Sequence, residues 1–198
     1  MSECFNIDTG RIGPRSGLTS SSDSMPMGLE RQLQFVATLK KFVGLPVFHA
    51  ARINDPATAR YAISEGLIDI VVMTRAHIAD PHIVKKISEG REEQIRPCVG
   101  ATYCSWHATC IHNASIGREK TLPHLVPKAP KARRVTVVGA GPAGLEAARV
   151  CAERGHDVTL LEAAPKAGGQ VLLAAELHKR RDLIGIIDWR VSEAERLG

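Results

Sequence analysis

The sequence predicts an α/β protein with parallel strands, and three observations lead there. Between residues 46 and 90, apolar runs of strand length alternate with helix-length segments across short corners. A second series begins near residue 133, with a strand that runs straight into a cluster of glycines. A proline-rich basic stretch, LPHLVPKAPKARR (122–134), separates the two as a connector between domains.

Taken in order, CFNI (4–7) reads as a strand and the Ser- and Gly-rich stretch 10–24 as a loop. Residues 27–42 place Leu29, Leu33, Val36 and Leu39 on one helical face, which predicts a helix packed on a core. PVFHAARI (46–53) is a buried strand that ends in a polar corner. In NDPATARYAISEG, Asn54 or Asp55 can cap a helix, Pro56 suits its first turn, and Gly66 suits the left-handed position that ends it. LIDIVVM (67–73) is the next strand. ADPHIVKKISEG (79–90) repeats the grammar, with Asp80 as cap, Pro81 in the first turn and Gly90 as stop. In parallel α/β architecture, function gathers at the carboxyl ends of the strands.

Composition narrows the function classes. At 198 residues, 44% hydrophobic and 24% charged, the chain is globular rather than disordered. The net charge of +5 comes from scattered basic residues with small runs at 131–134 and 179–181, and only 4% of residues are aromatic, so no nucleic-acid partner is expected. No stretch approaches the roughly 18 consecutive apolar residues of a spanning helix. The start, MSECFNIDTG, lacks the basic-then-apolar layout of a signal peptide, so a cytoplasmic protein without a membrane partner is expected. Five cysteines is an odd count, and Cys98, Cys104 and Cys110 lie close together. In a reducing compartment that grouping points to metal or cluster ligation more than to disulfides. Cys4 and Cys151 stand apart.

The segment RRVTVVGAGPAGLEAARVCAERGHDVTLLEA carries the most chemistry. A buried strand, VTVVGAG, runs into Gly139, Gly141 and Gly144. The first glycine allows the tight turn, the second lets a pyrophosphate approach the backbone, and the third lets the following helix pack closely on the strand. Free N–H groups at the helix start then face the phosphates. Ala148 and Cys151 share the face of Gly144, which makes Cys151 a packed thiol. The second strand, DVTLLEA, ends in Glu162, placed for the hydroxyls of an adenosine ribose. A carboxylate there disfavours a 2′-phosphate, so FAD, NAD or ADP is expected before NADP.

VVGAGPAGLEAA followed by EAAPKAGGQV, with the pair Gly168 and Gly169 after the acidic residue, is similar to an FAD-type fingerprint. Together with ARINDPATAR, MTRAHIADP, IRPCVGATYC and CIHNASIGRE, the chain from residue 46 onward resembles the iron–sulfur flavoprotein branch of the old yellow enzyme family. That branch holds enzymes of the trimethylamine dehydrogenase, N-methylproline demethylase and 2,4-dienoyl-CoA reductase types. The resemblance implies the C-terminal part of an FMN-binding (β/α)8 TIM barrel over 1–97, a cysteine-rich iron–sulfur segment over 98–118 and a linker over 119–132. It implies the start of a Rossmann-type FAD/NAD-binding domain over 133–198. A complete barrel takes about 250 residues, so both domains are expected to be incomplete and the chain to be a fragment.

The same resemblance assigns residues. Arg75 matches the phosphate arginine of the FMN site best, with Thr74 beside it and Arg52 as the weaker match; Gly169 and Gln170 join the dinucleotide site. His49 is expected to pack at its strand end, and His77 and His82 to be solvated. No catalytic residue is carried over, because the family's acid and base groups come from earlier strands. Around the 4Fe-4S cluster of the family, Cys98 and Cys104 match the first and third ligands and Cys110, followed by Asn113, the fourth. Ala101 stands at the second. The readings left open are a four-iron cluster short of one thiolate, a three-iron form, a histidine ligand (His107 or His112), or no cluster. Zinc is disfavoured by the wide Cys spacing. The parent enzyme would oxidise an N-methylated amine at FMN and pass electrons through the cluster toward the second domain and an electron acceptor. A reductase acting on an enoyl substrate with NAD(P)H would run them the other way, and a non-catalytic nucleotide-binding remnant is the third reading.

Overall fold

A computed structural model of the chain describes residues 5–7, 29–50 and 53–198. They belong to two compact units: Met1–Cys98 with Thr102–His107, and Val99–Ala101 with Ala108–Gly198. Both units are α/β, and their strands pair in parallel.

In the first unit, β1 (Phe5–Ile7), β2 (Val47–Ala50) and β3 (Ile70–Val72) form a parallel sheet in that order. The register sets Phe5 against Val47 and Phe48 against Ile70. Helix α1 (Leu29–Lys40) delivers Leu33 and Val36 into a core with Val47, Ile53, Ala62 and Ile68. Helix α2 (Pro56–Ser64) starts as its sequence directs. Asp55 is the cap: its carboxylate accepts the Thr58 N–H at 2.8 Å and the Thr58 hydroxyl at 2.7 Å. Gly66, with φ 65°, turns the chain toward β3. Asp69 then ties the layer together, accepting the Val47 N–H and the Lys40 ammonium, each at 2.8 Å. The stretch 10–24 and Arg52 lie outside the described residues.

After β3 the structure departs from the expectation. TRAHIA is itself a helix, α3 (Thr74–Ala79), and α4 is confined to Ile83–Ser88. Asp80 therefore ends α3, and the residue at the cap of α4 is His82, without a side-chain cap bond. The Asp80 carboxylate is buried and gathers three donors: the His82 N–H at 3.0 Å, the Arg96 N–H at 2.9 Å and the Lys86 ammonium at 2.6 Å. It anchors the chain leading to Cys98 more than it caps a helix, because burial obliges a carboxylate to collect charge and N–H partners from several segments. Gly90, φ 68°, ends α4 as anticipated, and a 3-10 turn (Glu92–Gln94) follows. A four-residue helix, α5 (Cys104–His107), lies within the cysteine segment.

In the second unit, β4 (Arg134–Val138) and β5 (Asp157–Leu161) pair in parallel, Arg134 with Asp157 through Val138 with Leu161. Between them runs α6 (Pro142–Glu153); α7 (Gln170–Glu176), a 3-10 segment (His178–Ile184) and α8 (Gly185–Leu197) follow. The sequence reading had room for only part of one helix after β5. The core joins Val99, Ala140, Leu145, Ile186 and Ile187, with Leu160, Val171 and Leu183 packed against it. The expectation of a buried β4 needs correction: Val137 faces α6, but Val138 is 82% exposed. Among the described residues the sheet has two strands, too few to bury alternate side chains on both faces. The connector is pinned to this unit by the Ala129 N–H on the Arg154 carbonyl at 2.9 Å and the Arg133 N–H on His156 Nδ1 at 3.2 Å.

Charge is buried where α8 meets α6. Arg149 pairs with Glu146 at 2.7 Å and with Glu153 at 2.5 Å, and Arg190 Nε stands 2.8 Å from Glu146 in an ion pair whose angle falls short of a hydrogen bond. Both guanidinium groups lie near the Trp189 ring, at 5.3 and 6.0 Å from its centroid. Among the described residues no helix is long and apolar enough to cross a membrane.

Candidate functional site

The glycine turn between β4 and α6 is the best-formed site of the second unit. Gly139 adopts φ 95° and donates its N–H to the Leu161 carbonyl at 2.7 Å, which fixes the turn to the end of β5. A Cβ on Gly144 would stand 1.9 Å from the Gly139 carbonyl oxygen, so only glycine lets α6 start this close to the strand. No atom lies within 4 Å of the Cβ position at Gly141, which leaves the backbone open to a ligand. Pro142 occupies the first turn of α6, where a missing N–H costs nothing.

Glu162 follows β5 directly and closes onto the turn. One carboxylate oxygen accepts the Ala140 N–H at 2.6 Å and the other the Ala164 N–H at 2.8 Å. These backbone donors, Ala164 foremost and then Ala140, hold its carboxyl below the ordinary range. The loop after it returns to the same place: Gly168, φ 130°, donates to the Ala140 carbonyl at 2.7 Å, and Gly169 approaches the Gly141 Cα. The structure thus brings Gly139, Gly141, Gly144, Glu162 and Gly169 together, with Gln170 exposed at the start of α7. Ala148 is buried and Cys151 is a half-buried free thiol.

At the end of β3, Thr74 is exposed as the first residue of α3, and Arg75 Nη1 is buried without a hydrogen-bond partner among the described residues. An orphaned guanidinium nitrogen calls for an anion. His49 is fully buried in β2, and His77 is exposed with Nδ1 2.9 Å from the Met73 carbonyl. His82 departs from the expected solvation: it is half-buried and its Nε2 is shut off from solvent.

Cys98, Cys104 and Cys110 are half-buried thiols outside any disulfide. Ala101 offers no donor. Thr102 (φ 55°) and Ala108 (φ 48°) hold left-handed backbone on either side of α5, a conformation that costs a side-chain-bearing residue about 1–3 kcal/mol. Cys110 Sγ accepts the His112 N–H at 3.4 Å. Of the two histidines weighed as ligands, His107 stacks on Tyr103 at 4.1 Å and His112 is buried edge-on to Trp189 at 5.4 Å. Among the described residues no three His, Cys, Asp or Glu side chains are grouped to hold a single metal ion. A four-iron cluster is different, since each thiolate there binds its own iron. Cys98, Cys104 and Cys110 are donors of the type such a cluster takes, and Ala101 is not.

The residues missed by the sequence reading are Glu146, Arg149, Trp189 and Arg190. The i, i+3 and i, i+4 spacing of Glu146, Arg149 and Glu153 marked a helical ion-pair row, but nothing local marked it as buried.

Comparison with known proteins agrees with this geometry. Residues 18–94 match the NADH:flavin oxidoreductase / NADH oxidase family and residues 137–182 an NAD(P)-binding Rossmann-like domain. A multifunctional alkene reductase/demethylase of Caballeronia cordobensis is 58% identical over 98% of this chain and 29% of its own length. A probable N-methylproline demethylase of Rhizobium meliloti is 53% identical over 98% of this chain and 30% of its own. The structure of a 2-naphthoyl-CoA reductase superposes with a TM-score of 0.79 and 34% identity, over 90% of this chain and 28% of that one. The chain spans less than a third of the length of each of these relatives. A flavin-oxidoreductase segment followed in one polypeptide by a nucleotide-binding segment defines its class. The chain is similar to the old yellow enzyme family, in the branch of the trimethylamine dehydrogenase and N-methylproline demethylase type.

Proposed function

We propose that this chain is the junction of a multi-cofactor flavoenzyme, joining the end of an FMN barrel (1–97) through a cysteine segment (98–118) and a linker (119–132) to the start of a dinucleotide domain (133–198). The observation that carries the reading is Glu162 bonded into the glycine turn beside a Gly144 that no other residue can replace. Adenosine ribose hydroxyls would be accepted by Glu162, and the pyrophosphate would lie on the backbone of Gly139 to Gly144, with Gly169 and Gln170 beside it. FAD, ADP and NAD share the adenosine diphosphate that such a site takes.

In the first unit, Arg75 would hold the FMN phosphate, with Thr74 beside it and Arg52 as the second cation. The unpartnered Nη1 of Arg75 supports this assignment. Bound there, the flavin supplies acceptance of two electrons from substrate. Cys98, Cys104 and Cys110 would ligate a 4Fe-4S cluster that lacks its fourth thiolate at Ala101. Thiols outside any disulfide suit a reducing compartment such as the cytoplasm. For the whole enzyme we infer oxidative demethylation of a small N-methylated amine, on the strength of the demethylase relatives. A second reading, reduction of an enoyl thioester or alkene with NAD(P)H, draws support from the alkene reductase and naphthoyl-CoA reductase likenesses.

Calorimetric titration of the purified chain with ADP tests the nucleotide site. One saturable site that disappears in Glu162→Arg is expected. Absence of binding at millimolar ADP in the unaltered chain would end this reading of the glycine turn.

A further inference from the structure

His156 stands where the connector enters the second unit, and its backbone is fixed from both sides. Its own N–H is held by the Cys151 carbonyl at 3.0 Å, Gly155 with φ 87° precedes it after α6, and Asp157 opens β5 behind it. The Arg133 carbonyl accepts the Asp157 N–H at 2.9 Å, so the connector runs alongside this turn. One residue ahead of β4, the Arg133 N–H donates to His156 Nδ1 at 3.2 Å. A backbone N–H can only donate, so Nδ1 must keep its lone pair and the proton of the neutral ring belongs on Nε2. An imidazolium carries a proton on both nitrogens and has no acceptor to offer. The charged side chains on the segments packed here are mostly cations: Lys128, Lys131 and Arg133 on the connector, Arg134 on β4 and Arg154 at the end of α6. The carboxylates are Glu153, paired with Arg149 at 2.5 Å, and Asp157; Cys151 adds a half-buried thiol.

We propose that His156 is a pH-sensitive latch on the connector: the neutral ring holds the Arg133 N–H and with it the chain ahead of β4, and protonation of the ring releases them. Two effects act in the same direction. Protonation deletes the acceptor of the Arg133 N–H, and it sets a further positive charge among the cations of the connector, β4 and the end of α6. Histidine is the side chain whose charge changes between about pH 5 and 8. The bond forms only with the neutral ring, so its contribution is whole at the alkaline end of that span and is lost as the pH falls through it. With the latch open, the connector keeps the Ala129 N–H on the Arg154 carbonyl and the Asp157 N–H on the Arg133 carbonyl. The chain between the flavin-oxidoreductase segment, 18–94, and the nucleotide-binding segment, 137–182, runs through this connector, so the latch sets how firmly that joint is held.

The test is nitrogen–proton NMR of the whole 198-residue chain. Ring nitrogen shifts report the His156 tautomer, and hydrogen exchange, corrected for the pH dependence of unstructured amides, reports protection of Arg133 and Ala129. The Nε2–H tautomer is expected at the alkaline end. Arg133 protection should fall about three- to tenfold between about pH 7.5 and 5.5, while amides within α6 keep theirs. In His156→Asn the side-chain carbonyl oxygen takes the place of Nδ1 without titrating, so the fall should vanish. His156→Phe has no acceptor and should show low Arg133 protection at both pH values. Should His156→Phe fail to fold, the tautomer and the His156→Asn arm decide. An Nδ1–H tautomer, unchanged Arg133 protection across the span, or a fall that persists in His156→Asn overturns the latch. So does a fall shared by α6, which would mean that the whole unit loosens.

Discussion

Replacing Asp80 by alanine should be among the most damaging single changes in the first unit. The carboxylate is 4% exposed and receives Lys86 Nζ at 2.6 Å together with the N–H groups of Arg96 and His82. Truncation leaves Lys86, whose side chain is 17% exposed, with only the Gln94 carbonyl at 2.7 Å, and strips two backbone donors of their acceptor. Breaking a buried ion pair costs about 3–5 kcal/mol, a large share of the roughly 5–15 kcal/mol that holds a domain folded. Asp80→Asn keeps a carbonyl acceptor but loses the charge, and should cost about 1.5–3 kcal/mol. Amide exchange read on peptides covering 76–96 is the assay. A loss of 3 kcal/mol accelerates exchange on the order of a hundredfold. The acid limb gives an independent check. Burial alone would raise the Asp80 carboxyl, but Lys86, the Arg96 N–H and the His82 N–H outweigh it and hold the carboxyl below its ordinary range. A depressed carboxyl contributes stability that is full above its unfolded value, about 3.9, and is lost as pH falls through the lower folded value. The unaltered chain should therefore lose protection over 76–96 below about pH 4, and the variant should lack that step. Exchange in Asp80→Ala within threefold of the parent would mean that Lys86 and both N–H groups find other partners, and the anchor argument would fall.

Gly144→Ala sets a Cβ 1.9 Å from the Gly139 oxygen, so the turn must open; a stability loss of about 1–3 kcal/mol by urea titration, with ADP binding abolished, is expected. Glu162→Arg should abolish ADP binding with little change in the urea midpoint, and ADP affinity of the parent should fall in acid only below the ordinary carboxylate range, because Ala164 and Ala140 hold Glu162 ionised. Ala101→Cys should raise iron and sulfide retained after reconstitution toward four each; iron already full in the unaltered chain would show that a ligand other than cysteine serves the fourth iron, and no iron in either chain would make the segment an ordinary linker.

What could be read in the sequence was what local chemistry dictates. Asp55 three residues before Thr58, Gly66 and Gly90 at helix ends, and the glycines from 139 to 144 each specify backbone geometry within one turn, and the structure has them so. Helix α3 was missed because its six residues follow Met73, a cap residue that makes no side-chain cap bond. Asp80 was misassigned because a helix cap and a buried anchor look identical in a run such as ADPHIVKK; the difference lies in Arg96, sixteen residues away. Arginines in a core are illegible for the same reason. Nothing local sets Arg149 and Arg190 apart until α8 is laid against α6 and Glu146 is seen to serve both. Within the nucleotide site the glycines were legible, whereas the bond from Ala140 to Glu162 depends on the closure of β5 onto the turn.

The setting of Trp189 gives the molecule an optical gauge of its own. Its indole is 7% exposed and lies between two guanidinium groups and the edge of His112, whereas the other tryptophan, Trp106, is 66% exposed. Emission from a shielded indole is blue-shifted relative to one in water, so the two residues contribute separable bands. Any event that lifts α8 from α6, or draws the Cys110 turn away from it, changes the field and the solvent around the shielded ring first. The colour of the emitted light then follows the docking of that helix without any added label.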